Sequence, residues 1–339
     1  MKAVRVVAKD TLEIQDIPTP SIGPDEVLMK VRAAGICGTD LRIYHSGGQG
    51  ALPITMGHEF VGDVAQVGSQ VKDLEIGQKI ISVPIFTDGT CFACIHGHFH
   101  VCDVRKVHGV DVDGGMAEFV RVQRRHVFVV PDHLPYREAV AVEPVANCVH
   151  AFERSHMVAG ESVAIFGDGF HGLTMLRLAR LHGGQPLVFC GHHEDRFHIA
   201  KDFGADVLIN TNSEDPVPRI QTMFADNGHG VDVGMDTTDS RTALREVVGS
   251  VRKCGKLLLF ASPRALEAED WQPMRMKELD VYPSHSWPEV FPEALELVAS
   301  RKVDVRPMLT HFFPADQALR AFEVADKRLD NSIRVVVEF

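Results

Sequence analysis

Residues 161–183 read ESVAIFGDGFHGLTMLRLARLHG. Val163 to Phe166 form an unbroken apolar run, the length of a strand buried on both faces. Leu and Met then recur at helical spacing until Gly183 closes the stretch. Between the two lies Gly167-Asp168-Gly169-Phe170-His171-Gly172, a G-x-G-x-x-G. A strand before it and a helix after it are the setting in which this motif means a dinucleotide site. Gly167 allows the tight turn, Gly169 lets backbone amides approach a pyrophosphate, and Gly172 lets helix and sheet pack closely. The pyrophosphate then rests on a helix N-terminus. Gly167, Gly169, Phe170, His171 and Gly172 are therefore the first cofactor-binding candidates.

The same alternation runs outward from this stretch. PLVFC (186–190), DVLIN (206–210), VDVGMDTT (231–238) and KLLLFAS (256–262) read as strands. EDRFHIAKDFG (194–204) and SRTALREVVGSVR (240–252) read as helices. Repeated strand–helix units give a doubly wound parallel sheet covered on both faces. An acid about 20 residues beyond the motif would accept the ribose hydroxyls of NAD. Here Gly191 stands nineteen residues after Gly172, with His192 and His193 behind it and Arg196 one turn on. A missing acid and nearby donors favour the 2′-phosphate of NADP over NAD. The rival is Glu194 or Asp195 reaching the ribose from the helix start. Gly191, His192, His193 and Arg196 join the cofactor-binding candidates.

Before residue 150 the character is different. EVLMKVRAAG (26–35), FVGDVAQVGS (60–69), QKIISVP (78–84) and MAEFVRVQ (116–123) are short β segments, and the N-terminus reads as two strands around a turn. No helical period interrupts them until about Tyr136. The last segment, a helix PEALELVASRKV and a strand SIRVVVEF, is expected to return to this first part. Two domains follow, 1–148 with 284–339, and 149–283, in keeping with 339 residues. The net charge of −11 carries no long run of one sign, which argues against a nucleic-acid partner. No apolar run of membrane-spanning length exists, so no membrane partner is expected. Seven cysteines and no secretory leader pattern point to a reducing cytoplasm.

The cysteines raise a second question. TDGTCFACIHGHFHVC (87–102) holds a C-x2-C pair, Cys91 and Cys94, and then Cys102 after seven intervening residues. Three thiolates are most of a tetrahedral zinc site. The residues leave the fourth ligand open: a histidine among His96, His98 and His100, or no metal at all. Elsewhere AGICGTD (34–40), MGHE (56–59) and AVEP (141–144) each present one ligand type, Cys37, His58 and Glu143. Three protein ligands and an open position make a catalytic zinc site.

Together GICGTD, GHE, the EP pair and the G-x-G-x-x-G resemble the zinc-dependent medium-chain dehydrogenase/reductase superfamily, in its sorbitol/polyol and threonine dehydrogenase branch. The tail VDVRPMLTHFFPADQALRAFE is similar to that branch as well, and the resemblance covers essentially the whole chain. It implies a GroES-like β domain, a Rossmann domain, and hydride transfer between NAD(P) and a secondary alcohol or ketone of a polyol, sugar derivative or hydroxy-amino acid. Cys37, His58 and Glu143 then become catalytic-zinc residues, and Glu59 the residue that exchanges into the zinc shell. Asp40 orients the ligand histidine, and Thr39 touches the substrate oxygen and starts the proton path. The family's structural-zinc spacing C-x2-C-x2-C-x7-C puts Asp88 in the first position, with Cys91, Cys94 and Cys102 in the others. Homo-dimers or homo-tetramers are implied.

Two positions depart from the pattern. The relay histidine five residues after the zinc cysteine is Arg42, which cannot relay a proton by deprotonation; His45 or water is the substitute. An Arg-Tyr pair of sorbitol-type members is replaced by Ser286 and Trp287, which leaves Tyr44, His285 and Trp287 as substrate-cleft candidates. The competing reading is a non-catalytic NADPH-binding protein on the same fold.

Overall fold

The computed structural model describes residues 1–48, 52–260, 266–287 and 289–339. The chain forms two compact units, Met1–Ala146 with Trp287–Phe339, and Asn147–Ser286. These limits lie two and three residues from the cuts at 148 and 283. Ala261 and Ser262, the end of one expected strand, lie outside the described residues.

The first unit is built on a seven-stranded sheet. Its path runs Val127–Val129, Lys79–Ser82, Glu59–Val67, Glu26–Ile36, Arg334–Glu338 and Leu309–Pro314, with Phe119–Gln123 paired beside Glu26–Ile36. The Glu26–Ile36 strand is almost wholly buried because neighbours cover both its faces. Met29, Val31, Phe60, Val122, Val335 and Val337 meet in one core with Phe322. Each such side chain contributes about 1.5–3 kcal/mol on burial. The C-terminal strand returns as expected: Val336 pairs with Gly35. On its other edge Gly35 pairs with Glu59. The N-terminal hairpin, Lys2–Ala8 with Thr11–Asp16, forms a smaller sheet with Ile54–Thr55.

One expectation fails here. A nine-residue helix, Gly38–Ser46, stands in the region read as free of helices. Its apolar residues are too few to show a period. It is specified by its ends instead: the Asp40 carboxylate accepts the Cys37 N–H at 2.9 Å, and Gly47 closes it at φ 76°. The four-residue helix Phe92–Ile95 was equally silent.

In the second unit six parallel strands lie in the order Val207–Asn210, Leu187–Gly191, Val163–Phe166, Val231–Asp236, Val251–Leu259, Asp280–Pro283. This is the doubly wound order. Helix Phe170–Leu181 follows the Val163–Phe166 strand directly, as its sequence requires. The expected helix from 194 begins as a turn of 3₁₀ and becomes α only over Phe197–Phe203.

Candidate active site

Cys37 is the N-cap of the Gly38–Ser46 helix, and His58 and Glu59 sit where the chain enters the Glu59–Val67 strand. Cys37, His58 and Glu59 each bring one ligand atom within 4.8 Å of the others. Gly35 makes this approach possible: a Cβ there would lie 2.2 Å from Glu59 Oε2. Asp40, fully buried, ties the two loops together. Its Oδ2 accepts from Cys37 N, its Oδ1 accepts from Gly57 N at 3.2 Å, and Oδ1 lies 3.5 Å from His58 Nδ1. Burial pulls the His58 imidazole down, but the charges of Asp40 and Cys37 outweigh it and hold it well above its usual range.

Two features of this centre were invisible in the sequence motifs. Arg334, from the C-terminal strand, donates to Glu59 Oε1 at 2.6 Å, and both side chains are buried. The same guanidinium donates to the Ile36 carbonyl at 3.2 Å. Glu143 opens the Val142–Arg154 helix beside Pro144, as expected, yet it does not close up with the cluster of Cys37, His58 and Glu59. Its Oε1 is buried with no hydrogen-bond partner. Burial, then the Glu59 charge, push its carboxyl well above the usual range. A cysteine sulfur, an imidazole and carboxylates, with the Glu143 Oε1 atom buried and unpartnered, fit a divalent ion of zinc type.

Thr39 lies on the same helix, and its Oγ1 accepts a hydrogen bond from Arg42 Nη2 at 2.8 Å. His45 is not placed to relay a proton. Its Nδ1 meets Asp10 and its Nε2 meets Asp326, each at 2.7 Å, so both ring nitrogens are engaged. Tyr44 is half-buried and packs edge-on against Phe322 and the core. Trp287 is buried in the first unit, with Nε1 unpartnered, and His285 is exposed at the end of the second.

In the 87–102 loop, Asp88, Cys91, Cys94 and Cys102 converge, each with a ligand atom within 4.8 Å of the rest. No histidine joins them among the described residues. His96 instead turns its Nδ1 to the Phe92 carbonyl at 2.8 Å and stacks on the Phe92 ring. Asp88 Oδ1 accepts the N–H groups of Cys91 and Thr90, which hold its carboxyl down at about 2. Burial and the neighbouring thiols and carboxylate push the Cys94 thiol up to about 12. A divalent ion would relieve that crowding of negative charge.

In the second unit the motif glycines behave as their spacing requires. A Cβ at Gly172 would meet Gly167 O at 1.8 Å, whereas one at Gly169 would meet nothing within 4 Å, which leaves open space for a phosphate. Phe170 is buried, and the His171 ring lies 4.7 Å from that of Phe260. The end of the Leu187–Gly191 strand holds a carboxylate after all. Asp168, from inside the motif, sits where a Gly191 side chain would project: a Cβ there would come 2.6 Å from Asp168 Cβ. Both its oxygens are engaged. Oδ2 accepts from His192 N and His193 N at 2.6 and 2.7 Å, and the His193 ring Nδ1 lies 3.0 Å from Oδ1. Arg196 corrects an expectation. It is buried against Asp168, donating to its carbonyl at 3.1 Å, rather than facing outward toward a cofactor.

Residues 23–132 match the model of the alcohol dehydrogenase GroES-like domain, and residues 172–300 that of the zinc-binding dehydrogenase domain. The chain is 33% identical to the sorbitol dehydrogenase of Bacillus subtilis (strain 168), over 99% of this chain and 97% of the relative. It is 34% identical to the L-threonine 3-dehydrogenase of Pyrococcus furiosus, over 92% and 91%. A zinc-binding dehydrogenase from Sinorhizobium meliloti 1021, solved bound to NADP, superposes with a TM-score of 0.90 at 29% identity and covers 100% of this chain and 99% of its own. The chain belongs to the zinc-dependent medium-chain dehydrogenase/reductase (alcohol dehydrogenase) family, with a GroES-like and a Rossmann domain. It is an NAD(P)-dependent alcohol or polyol dehydrogenase.

Proposed function

We propose that the protein oxidises a secondary alcohol of a polyol, sugar derivative or hydroxy-amino acid, with NADP preferred to NAD, and catalyses the reverse reduction. The observation that carries this is the convergence of Cys37, His58 and Glu59 with Glu143 nearby. Cys37, His58 and Glu143 would hold a catalytic zinc ion, with Glu59 exchanging into its shell. When bound, zinc supplies Lewis-acid polarisation of the alcohol oxygen, and the nicotinamide accepts the hydride. The chain's own residues do the rest. Asp40 orients His58, Arg334 retains Glu59 when it is out of the shell, and the Thr39 hydroxyl accepts the substrate proton at Oγ1 while passing its own proton on. Asp88, Cys91, Cys94 and Cys102 would hold a second, structural zinc.

The NADP preference is supported by the engagement of both Asp168 oxygens and by the exposed His192 side chain beside them. A homo-dimer or homo-tetramer is proposed on family grounds. Cytoplasmic residence accords with seven cysteines, none in a disulfide. Removal of zinc with a chelator is expected to abolish hydride transfer, and zinc to restore it. Full turnover by verified metal-free protein overturns the reading. A comparison of kcat/KM for the two cofactors tests the NADP preference separately.

A further inference from the structure

The Arg42 guanidinium is exposed, and its hydrogen bond to Thr39 Oγ1 places it against the hydroxyl proposed to touch the reacting oxygen. No carboxylate lies within 4.0 Å of it among the described residues. The undescribed positions, 49–51, 261–265 and 288, include no acid. Arg5, Arg32, Arg124 and Arg137 of the same unit each pair with an acid, and Arg42 does not.

The surroundings sharpen the point. With zinc bound, the charges of Cys37, Asp40, Glu59 and Glu143 still exceed those of the ion and Arg334. Arg334 is the other guanidinium there, and it is buried and spent on Glu59 and the Ile36 carbonyl. A substrate anion entering this region would be repelled by those groups unless a cation received it. Arg42 has that cation. By accepting from Arg42, Thr39 Oγ1 keeps its own proton free to donate, while further N–H groups of the guanidinium remain to bind an anion as a planar fork.

We propose that the substrate carries an anionic group, a carboxylate or a phosphate, within a few bonds of its carbinol carbon, and that Arg42 binds it. The proposal rests on the dehydrogenase reading above and names its substrate class. An oxyanion held at about 2.8 Å from the fork sits close to the oxygen that contacts Thr39. The class is therefore hydroxy acids, such as sugar acids and hydroxy-amino acids, or polyol phosphates, not neutral polyols.

The test uses the full-length, zinc-loaded protein. Wild type, Arg42→Gln and Arg42→Lys are assayed with D-gluconate, L-threonine and D-arabitol phosphate, and with neutral sorbitol and D-arabitol. Wild type is expected to favour at least one anionic substrate over the neutral polyols. Arg42→Gln is expected to reduce the ratio of anionic to neutral kcat/KM roughly 10- to 100-fold, the worth of a hydrogen bond to a charged group, chiefly through KM. Arg42→Lys restores part of it. The carboxylate and phosphate arms distinguish the two anions. Wild type that turns over neutral polyols as well as any anion overturns the proposal and leaves the dehydrogenase reading intact, as does a ratio that Arg42→Gln does not move. No turnover of any alcohol with either cofactor overturns both.

Discussion

Asp40→Asn is expected to loosen the metal centre from behind. Asp40 is 0% exposed and accepts from Cys37 N at 2.9 Å and Gly57 N at 3.2 Å, with His58 Nδ1 at 3.5 Å. An asparagine offers one carbonyl oxygen where the carboxylate offered two. One of the two backbone N–H groups must then face an amide NH2, and the His58 ring loses its counter-charge. A hydrogen bond to a charged acceptor is worth about 1.5–3 kcal/mol, and the weakened helix cap adds about 1 kcal/mol. The metal-free variant should therefore lose about 3 kcal/mol, which at about 2–4 °C per kcal/mol lowers the transition of the first unit by roughly 6–12 °C. Zinc affinity should fall about 10- to 100-fold because the carboxylate behind a ligand histidine is gone. Calorimetry of metal-free protein and metal analysis after dialysis against graded chelator read the two effects separately. A metal-free transition unmoved by the substitution, with unchanged zinc retention, refutes the claim that Asp40 joins the two loops.

Two further outcomes follow from the same structure. Gly35→Ala should reduce activity and stability together, because the new Cβ would lie 2.2 Å from Glu59 Oε2; normal activity and melting in the variant would show that Glu59 moves aside freely. Burial, then the charges of Arg125 and His108, hold the His126 imidazole down at about 3, where it pairs with Thr87 Oγ1. Its folded pKa lies below the unfolded value of about 6.5, so the stability it contributes is full above that pH and is lost as pH falls toward 3. At about 1.4 kcal/mol per pH unit, wild type should lose about 3 kcal/mol between pH 6.5 and 4 from this group. Melting curves of His126→Gln should show a shallower acid limb, and an identical slope would count against it.

Short-range information was largely readable from the residues. The strand, turn and helix around Gly167–Gly172 depend on neighbours in sequence, since an apolar run and three glycines meet within one supersecondary unit. Cys37, His58 and the Cys91, Cys94 and Cys102 loop carry their chemistry in residue type and spacing, because metal ligands must be few and near; Asp88 was implied only by the family resemblance. The helix Gly38–Ser46 escaped because its signal lies in one cap hydrogen bond, not in a period.

The remainder belongs to tertiary structure. Arg334 reaches Glu59 across 275 residues and Ile36 across 298. Nothing local in SIRVVVEF marks that arginine, since its partner is chosen by strand pairing. His45 lost its expected role when Asp326 folded against it from 281 residues away. Asp168 read as the neutral x of a glycine motif until the neighbouring strand set its carboxylate beside Gly191. The sequence by itself determined the kind of chemistry the chain carries, because reactive residue types and tight turns are local properties. Only the fold decided which charges face each other, because pairing between distant strands and loops depends on where the whole sheet places them.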